Sequence, residues 1–309
     1  ILKAMDKEYF NSTRILDGGM GQELLSRGLI SKGTLWSTSA LVEEKYHNLV
    51  VDVHLSFIDA GADIIVTNNF SSRRIRLIQN KVEDKFELVN KKACELAIEA
   101  RKISKKNILI AGSLPPQNGT YVVDEREIKE IKRDFNDQAK ILKDYIDFFY
   151  LDVISSGKEI EAACEIIEKI NMPVLIGLHI KKNGKLPSGE DIEDIVKKYK
   201  TSNWIGIIGS CISLEITEKC IEQLKKTKLP FGFKTNLWKT QEPLPVNKFN
   251  QSKFNEIGKN PNDVLGKRDE ITPKIFYDFA KKIKDQGATI LGGCCNINPS
   301  HIKEISKLK

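Results

Sequence analysis

The chain has 309 residues, 40% of them hydrophobic and 29% charged, a balance typical of a folded globular protein with a large core. Its formal charge of +7 comes mostly from lysines without interleaved aromatic residues, which argues against a nucleic-acid-binding surface. No apolar run is long enough to span a bilayer and no secretory signal is recognisable, so we expect no membrane partner and a cytoplasmic location.

Along the chain, short apolar runs alternate with longer amphipathic segments, once residues 1–4 are set aside as vector-derived and Met5 is taken as the native start. The predicted strands cover residues 14–19, 63–70, 107–114, 147–154, 173–180, 204–211, 230–237 and 288–295. Eight repeats of strand and helix predict an α/β protein with one domain, a (β/α)8 TIM barrel over residues 1–309. A doubly wound open sheet is the alternative, but no GxGxxG turn follows the first strand.

Between these strands, the amphipathic segments predict helices, for example over residues 83–102 and 213–228. Three of the six cysteines lie in such helical patterns and are interpreted as small core residues: Cys94, Cys164 and Cys220. The polar stretch from Thr240 to Thr272 follows the seventh strand and predicts a long loop at the barrel mouth.

The other three cysteines end predicted strands, Cys211 the sixth and Cys294–Cys295 the eighth. Adjacent cysteines form a disulfide only with strain and are too close for a CxxC redox turn, which leaves a metal site or chance. Because barrel active sites form at the carboxyl ends of the strands, the three thiols are expected to converge. Three thiolates with one open position are typical of catalytic zinc, and a Gly-Gly phosphate cradle gives no reason for two cysteines.

Three separated motifs occur in order: "ILDGGMGQELLSRGL" at residues 15–29, "GSC" at the end of the sixth strand, and "GGCC" followed by "NPSHI". With them the sequence resembles the homocysteine S-methyltransferase family, which includes betaine–homocysteine methyltransferase, S-methylmethionine-dependent enzymes and the homocysteine-binding domain of methionine synthase. The resemblance extends over "LWSTSALVE", "FIDAGADIIVTNNFSS" and "LPPQNGTY". It implies a zinc-dependent barrel enzyme that methylates the thiol of homocysteine.

The resemblance also implies roles for individual residues. Three thiolates match the zinc ligands of the family: Cys211, Cys294 and Cys295. Asp17 matches the acid that holds the homocysteine amino group, with the Gly18 backbone nearby, although a turn-stabilising aspartate before Gly18–Gly19 is an alternative. Asp152 stands where the family usually has a second, glutamate ligand for homocysteine. Its side chain is one methylene shorter.

On the donor side, the resemblance implies that Trp36 and Phe70 face a small methylated cation, since an onium methyl group packs favourably on an aromatic face. Trp36 matches a tryptophan of the betaine-using members, but Ser71 and Val153 stand where those enzymes have tyrosines. Glycine betaine, dimethylsulfoniopropionate and S-methylmethionine therefore remain open as donors. An ordinary packing role for Trp36 is the alternative.

Several other readings stay open at this point. His179 ends the fifth strand and is the rival zinc ligand, but we interpret it as part of the pocket wall. The "TNNF" segment resembles methionine synthase, so the chain could instead be a homocysteine-binding module that receives methyl from a separate corrinoid or folate protein. A barrel with a purely structural zinc is a third reading. The chain ends soon after its last helix, without the oligomerisation arm of the animal betaine enzymes, so a monomer or a different dimer is expected.

Overall fold

Every predicted apolar run contains a parallel strand in the structure, a computed structural model that describes residues 8–309. The interpretation of Met5 and of residues 1–4 lies outside the described residues. The strands are β1 Arg14–Ile15, β2 Ile64–Val66, β3 Leu109–Leu114, β4 Phe148–Ile154, β5 Val174–Leu178, β6 Trp204–Ser210, β7 Phe231–Thr235 and β8 Ile290–Gly293. Most strands are shorter than predicted, because the last residues of each apolar run leave the ladder and turn into the loops at the mouth.

The eight strands pair in the order β1-β8-β7-β6-β5-β4-β3-β2, and the two ends of this sheet meet. Leu16 forms a parallel bridge with Ile64, and the Asp17 amide donates a hydrogen bond of 3.0 Å to the Ile64 carbonyl. The predicted (β/α)8 TIM barrel is therefore confirmed.

The helices lie outside the strands and over the mouth. They are α1 Met20–Ser26, α2 Ser39–Val42, α3 His47–Asp59, α4 Arg74–Gln79, α5 Phe86–Ser104, α6 Ile128–Leu142, α7 Gly157–Ile170, α8 Ile192–Tyr199, α9 Leu214–Lys226, α10 Asn262–Leu265, α11 Pro273–Asp285 and α12 Pro299–Ile305. Among residues 8–309, no helix is both long and apolar enough to cross a membrane.

The core has two layers, one between the strands and the outer helices and one inside the barrel. The inner layer begins with Phe10, whose ring meets that of Phe148 edge-on with centroids 5.9 Å apart. Burying such a ring contributes roughly 2 kcal/mol. The amino-terminal end of the barrel is thus filled by side chains. Cys94, Cys164 and Cys220 are buried in the outer layer, as predicted.

Two loops cover the opposite end, at the carboxyl ends of the strands. The predicted loop of residues 240–272 pairs with the segment after α1: the Gly33 amide donates to the Glu256 carbonyl, and the Gly258 amide to the Ser31 carbonyl, both at 2.8 Å. The Asn250 side chain adds a bond of 3.1 Å to the Gly33 carbonyl. These bonds hold the long loop over the barrel mouth, where it forms one wall of a cavity.

Candidate active site

The three predicted thiols converge at this mouth. Their sulfur atoms all lie within 4.8 Å of one another, with Cys295 Sγ 4.0 Å from Cys211 Sγ and 3.9 Å from Cys294 Sγ. Sulfurs around a tetrahedral zinc with bonds of about 2.3 Å are about 3.8 Å apart. The spacing of the thiols therefore fits such an ion, with one coordination position left for another ligand.

Backbone bonds to β7 fix the positions of these cysteines. The Cys211 amide donates to the Lys234 carbonyl at 2.8 Å, and the Cys294 amide to the Thr235 carbonyl at 2.6 Å. The glycine before Cys294 is required for packing, since a Cβ on Gly293 would lie 2.1 Å from the Ile297 side chain. Close packing thus explains the "GG" of the "GGCC" motif without a phosphate ligand.

The thiols also interact electrostatically. Hydrogen bonds from Cys294 and Cys295 lower the pKa of Cys211 well below its usual value. The same contacts with Cys211 raise the pKa values of Cys294 and Cys295. The three sulfurs therefore cannot all ionise unless a cation binds among them, which is the chemistry of a thiolate metal site.

The predicted carboxylates lie beside the thiols but differ in their contacts. Asp17 Oδ2 accepts from the Val66 amide at 2.8 Å, and its Oδ1 has an ion pair with Lys234 Nζ at 3.1 Å but no hydrogen bond with the described residues. Asp152 Oδ2 accepts from the Ser113 hydroxyl at 2.9 Å, and within residues 8–309 its Oδ1 has no hydrogen-bond partner. Burial, followed by the charge of Cys294, raises the pKa of Asp152 to about 7. Among the described residues, Asp152 Oδ1 thus has neither a hydrogen bond nor an ion pair, whereas Asp17 Oδ1 faces Lys234.

Lys234, in the middle of the site, was not predicted from the sequence. Its ammonium group donates to the Gly293 carbonyl at 2.5 Å as well as facing Asp17, and the side chain is buried. Burial works to lower the pKa of Lys234, but Asp17, Cys294 and Asp152 outweigh it and raise the pKa above its usual value. The sequence did contain a signal for Lys234, because it lies inside the apolar strand run "FGFKTN". A lysine is rarely buried unless it is paired, so its position in a buried strand predicts an acidic partner.

Backbone strain is concentrated around the cavity. Five of the nine non-glycine residues with positive φ among residues 8–309 lie at or next to it: Trp36 (53°), Tyr121 (68°), Val153 (68°), Cys211 (52°) and Asn296 (67°). Val153 is β-branched, which makes this conformation costly, and the β4–β5 ladder shifts register between Leu151 and Ile154. The irregularity falls at Asp152, so the strand is bent where its carboxylate reaches the cavity.

The predicted donor residues line the same cavity. Trp36 packs closely against α1, since a Cβ on Gly21 would lie 2.2 Å from the Trp36 Nε1. The guanidinium carbon of Arg73 lies 5.3 Å from the centroid of the Phe70 ring. Tyr121, on the loop between β3 and α6, adds a third aromatic side chain that was not predicted to face the site. Burial raises its pKa well above the usual value, so the hydroxyl keeps its proton and can donate to Cys211 Sγ, 3.2 Å away.

His179 lies behind Tyr121, with ring centroids 4.7 Å apart. It does not belong to the group of side chains whose donor atoms converge near Cys211. Burial lowers the pKa of His179 to about 4, so the ring is neutral. His179 is therefore packed behind the wall residue Tyr121 and does not itself line the cavity.

Comparison with known proteins agrees with this geometry. A profile of the family described as homocysteine S-methyltransferase matches residues 14–308. Homocysteine S-methyltransferase 1 of Arabidopsis thaliana is 26% identical over 325 residues, covering 95% of this chain and 92% of the plant protein. S-methylmethionine–homocysteine S-methyltransferase BHMT2 of Pongo abelii is 25% identical over 292 residues, covering 94% of this chain and 77% of its own length.

Further relatives extend the comparison. A selenocysteine methyltransferase of Astragalus bisulcatus is 24% identical, covering 95% of this chain and 91% of its own. The metallated form of the homocysteine methyltransferase MmuM from Escherichia coli superposes with a TM-score of 0.77 at 20% identity, covering 96% of each chain. That likeness shows that the two chains share a fold.

Proposed function

Since the chain belongs to the homocysteine S-methyltransferase family, we propose that this methyltransferase moves a methyl group from a small onium donor to the thiol of L-homocysteine, forming methionine. The observation that carries the proposal is the cluster of three thiols at the barrel mouth, spaced as zinc ligands are. The same cavity offers a carboxylate for an amino group and aromatic faces for a cation.

The zinc ligands in this proposal are Cys211, Cys294 and Cys295. A bound zinc ion would act as a Lewis acid that keeps a coordinating thiol deprotonated near neutral pH, so no general base is required. The protein side chains supply the surroundings. Tyr121 and the Asn236 amide nitrogen, 3.2 Å and 3.7 Å from Cys211 Sγ, lie close enough to donate hydrogen bonds to that sulfur. Such hydrogen bonds stabilise the negative charge on the Cys211 thiolate.

Homocysteine would lie across the thiols with its amino group toward Asp152. The Asp152 oxygen that has no hydrogen-bond partner among the described residues supports this placement. Asp17, which is paired with Lys234, would be the second carboxylate near the amino group. Gly18 lines the cavity and lacks room for a side chain, because a Cβ there would lie 2.3 Å from the Ile297 carbonyl oxygen. The substrate can therefore approach the backbone closely at Gly18.

The donor would lie on the side of Trp36 and Phe70, with its methyl group toward the thiols and Tyr121 beside it on the cavity wall. The methyl carbon would bond to the homocysteine sulfur as its bond to the onium centre breaks, and the donor would leave as a neutral thioether or tertiary amine. The thiol proton would go to solvent. Aromatic faces favour a cation by about 0.5–2 kcal/mol, which supports dimethylsulfoniopropionate, S-methylmethionine or glycine betaine as donor. The six free cysteines support a cytoplasmic location.

The experiment is a donor panel with the purified zinc-loaded protein. Homocysteine is mixed separately with each sulfonium donor, with glycine betaine, with methylcobalamin and with methyltetrahydrofolate, and methionine is measured by mass spectrometry. Methionine is expected from at least one onium donor. Methionine only from the corrinoid or folate donors would replace the proposal with the homocysteine-binding module, and no methionine from any donor would contradict both.

A further inference from the structure

Three arginines lie close together after β2 but differ in their partners. Arg74 Nη2 is 2.8 Å from an oxygen of Asp137, an ordinary ion pair. Arg73 and Arg76 are only 1% and 7% exposed, and within residues 8–309 no carboxylate oxygen lies within 4.0 Å of either guanidinium. Six other described arginines do have such a partner: Arg27, Arg74, Arg101, Arg126, Arg133 and Arg268.

The contacts of the two buried guanidinium groups are with neutral groups. Arg73 donates to the Pro116 carbonyl at 2.6 Å and to the Thr120 hydroxyl at 2.9 Å, while its Nε has no partner among the described residues. Among residues 8–309, the Arg76 side chain donates one hydrogen bond, to Gln79 Oε1 at 3.2 Å. Neutral acceptors satisfy hydrogen bonds but do not neutralise a buried charge, which is unfavourable without a counter-ion.

Glu159 and, more weakly, Asp152 act electrostatically on Arg73, but neither forms an ion pair with it within 4.0 Å. Glu159 Oε2 accepts from the Ser156 hydroxyl at 2.8 Å and from the Ser155 amide at 3.3 Å. Burial raises the pKa of Glu159 to about 8, so its carboxyl is mostly protonated at neutral pH. Neither arginine is therefore neutralised by direct contact with a carboxylate of residues 8–309.

Both arginines line the cavity that holds the thiols and the aromatic donor residues. The guanidinium carbon of Arg73 lies 5.3 Å from the ring centroid of Phe70, so any cation on the other face of that ring is close to a second positive charge. A purely cationic donor would be repelled there. A donor that also carries a carboxylate would be attracted.

We propose that Arg73 and Arg76 form a carboxylate subsite that binds the anionic end of a zwitterionic onium donor. This inference rests on the proposed function, because it assigns the donor to that cavity. It predicts that donors carrying a carboxylate are preferred over simple onium ions without one. Planar guanidinium groups suit a carboxylate because two N–H groups can meet its two oxygens.

The kinetic test compares donors with and without the carboxylate: dimethylsulfoniopropionate with trimethylsulfonium, and glycine betaine with tetramethylammonium. For the donor that the enzyme uses, we expect KM to be about ten- to a hundredfold lower than for its analogue without the carboxylate. This factor corresponds to the free energy of one charge-assisted hydrogen bond. In Arg76→Gln, which keeps Arg73, that preference should fall about tenfold while homocysteine KM holds. Arg74→Gln loses the neighbouring ion pair to Asp137 and should keep the preference.

A binding measurement without turnover separates this subsite from the proposed function. Calorimetry with 3-(methylthio)propionate, the demethylated acid, should show binding to the wild type and to Arg74→Gln and about tenfold weaker binding to Arg76→Gln. Arg76→Gln is the main variant, because Arg73 also holds the loop at Pro116 and Thr120.

Each outcome then has a distinct meaning. Equal KM for donors with and without the carboxylate would overturn the subsite while leaving methyl transfer intact. An Arg76→Gln variant that raises homocysteine KM instead would also overturn it, because the bound anion would be the carboxylate of homocysteine. Binding of the acid that depends on Arg76, with no transfer from any onium donor, would support the subsite and contradict the proposed function.

Discussion

The two halves of the cavity wall differ in whether their buried charged side chains have partners of opposite charge. In the half built from strand ends, Asp17 faces Lys234 at 3.1 Å and Asp152 accepts a bond from Ser113. In the half built from the loop after β2, Arg73 and Arg76 are buried without a carboxylate partner among residues 8–309.

The difference follows from how each half is supported. Strand ends are held at fixed spacing by the ladder, so opposite charges at the ends of β1 and β7, the two strands that flank β8, can pair before any ligand arrives. In the loop half, Arg73 immediately precedes α4 and Arg76 lies within it, so the strand ladder does not position either residue and their charge is left for a ligand to neutralise. On the homocysteine side, Asp17 and Lys234 are therefore paired before a ligand binds. On the donor side, the charges of Arg73 and Arg76 are neutralised only when a ligand binds.

The largest expected effect concerns the thiols of the strand-end half. Cys211→Ala, Cys294→Ala or Cys295→Ala should remove the bound zinc and lower methyl transfer by at least ~1000-fold, while the barrel stays folded because a catalytic zinc does not build the core. Metal content by plasma mass spectrometry, activity and circular dichroism measure this. Cys220→Ala is the control, because it removes a thiol that is buried in the core, and this variant should still bind zinc. Full activity of metal-free protein would rule out the zinc assignment.

The next effect tests whether the strand-end half depends on charge pairing. Lys234→Met leaves Asp17 buried and unpaired, so the free energy of unfolding should fall by about 3–5 kcal/mol in urea titrations. Lys185→Met is a matched control, since Lys185 forms an exposed ion pair with Asp191 at 3.0 Å, and its loss should cost under about 1 kcal/mol. Equal losses in the two variants would show that burial of the pair is unimportant.

Glu159 tests the loop half through pH. Because its pKa is raised by burial to about 8, the protonated carboxyl stabilises the fold fully below the unfolded pKa of about 4.5, and this stability is lost as pH rises through about 8. Between pH 5.5 and 8, the wild type should lose roughly 2–3 kcal/mol more than Glu159→Gln. Parallel stability curves for the two proteins would mean that Glu159 is ionised and neutralises Arg73.

Asp152 tests the homocysteine side by substrate affinity. Asp152→Asn removes the carboxylate with the uncommitted oxygen, so the Kd of homocysteine should rise about ten- to a hundredfold with little loss of stability. Asp17→Asn should weaken homocysteine binding and also lower the free energy of unfolding, since it releases Lys234 from its ion pair. An unchanged homocysteine Kd in both variants would show that other groups hold the amino group.

The smallest effect belongs to the aromatic part of the donor side. Trp36→Ala should raise donor KM by about two- to thirtyfold, the range of one cation–π contact, and leave homocysteine KM unchanged. Trp36→Phe keeps an aromatic face and should recover part of the loss. A fall in stability with constant donor KM would instead identify Trp36 as a packing residue against Gly21.

The sequence alone determined the barrel and the position of the thiols. Alternating apolar runs and amphipathic helices are local patterns, and in a parallel barrel every strand ends at the same face. Knowing that Cys211, Cys294 and Cys295 end strands was therefore enough to bring them together. The resemblance to the homocysteine S-methyltransferase family, rather than this pattern, pointed to Asp17 and Asp152.

Only the tertiary structure decided which charges meet. Lys234 neutralises Asp17 because β7 and β1 both flank β8, a relation between segments more than 200 residues apart. Tyr121 reaches Cys211 from a loop, and loop paths have no periodicity from which a contact can be read. Arg73 and Arg76 look like ordinary surface arginines in the sequence, because burial and the absence of a counter-ion are properties of the folded surroundings and not of the residues themselves.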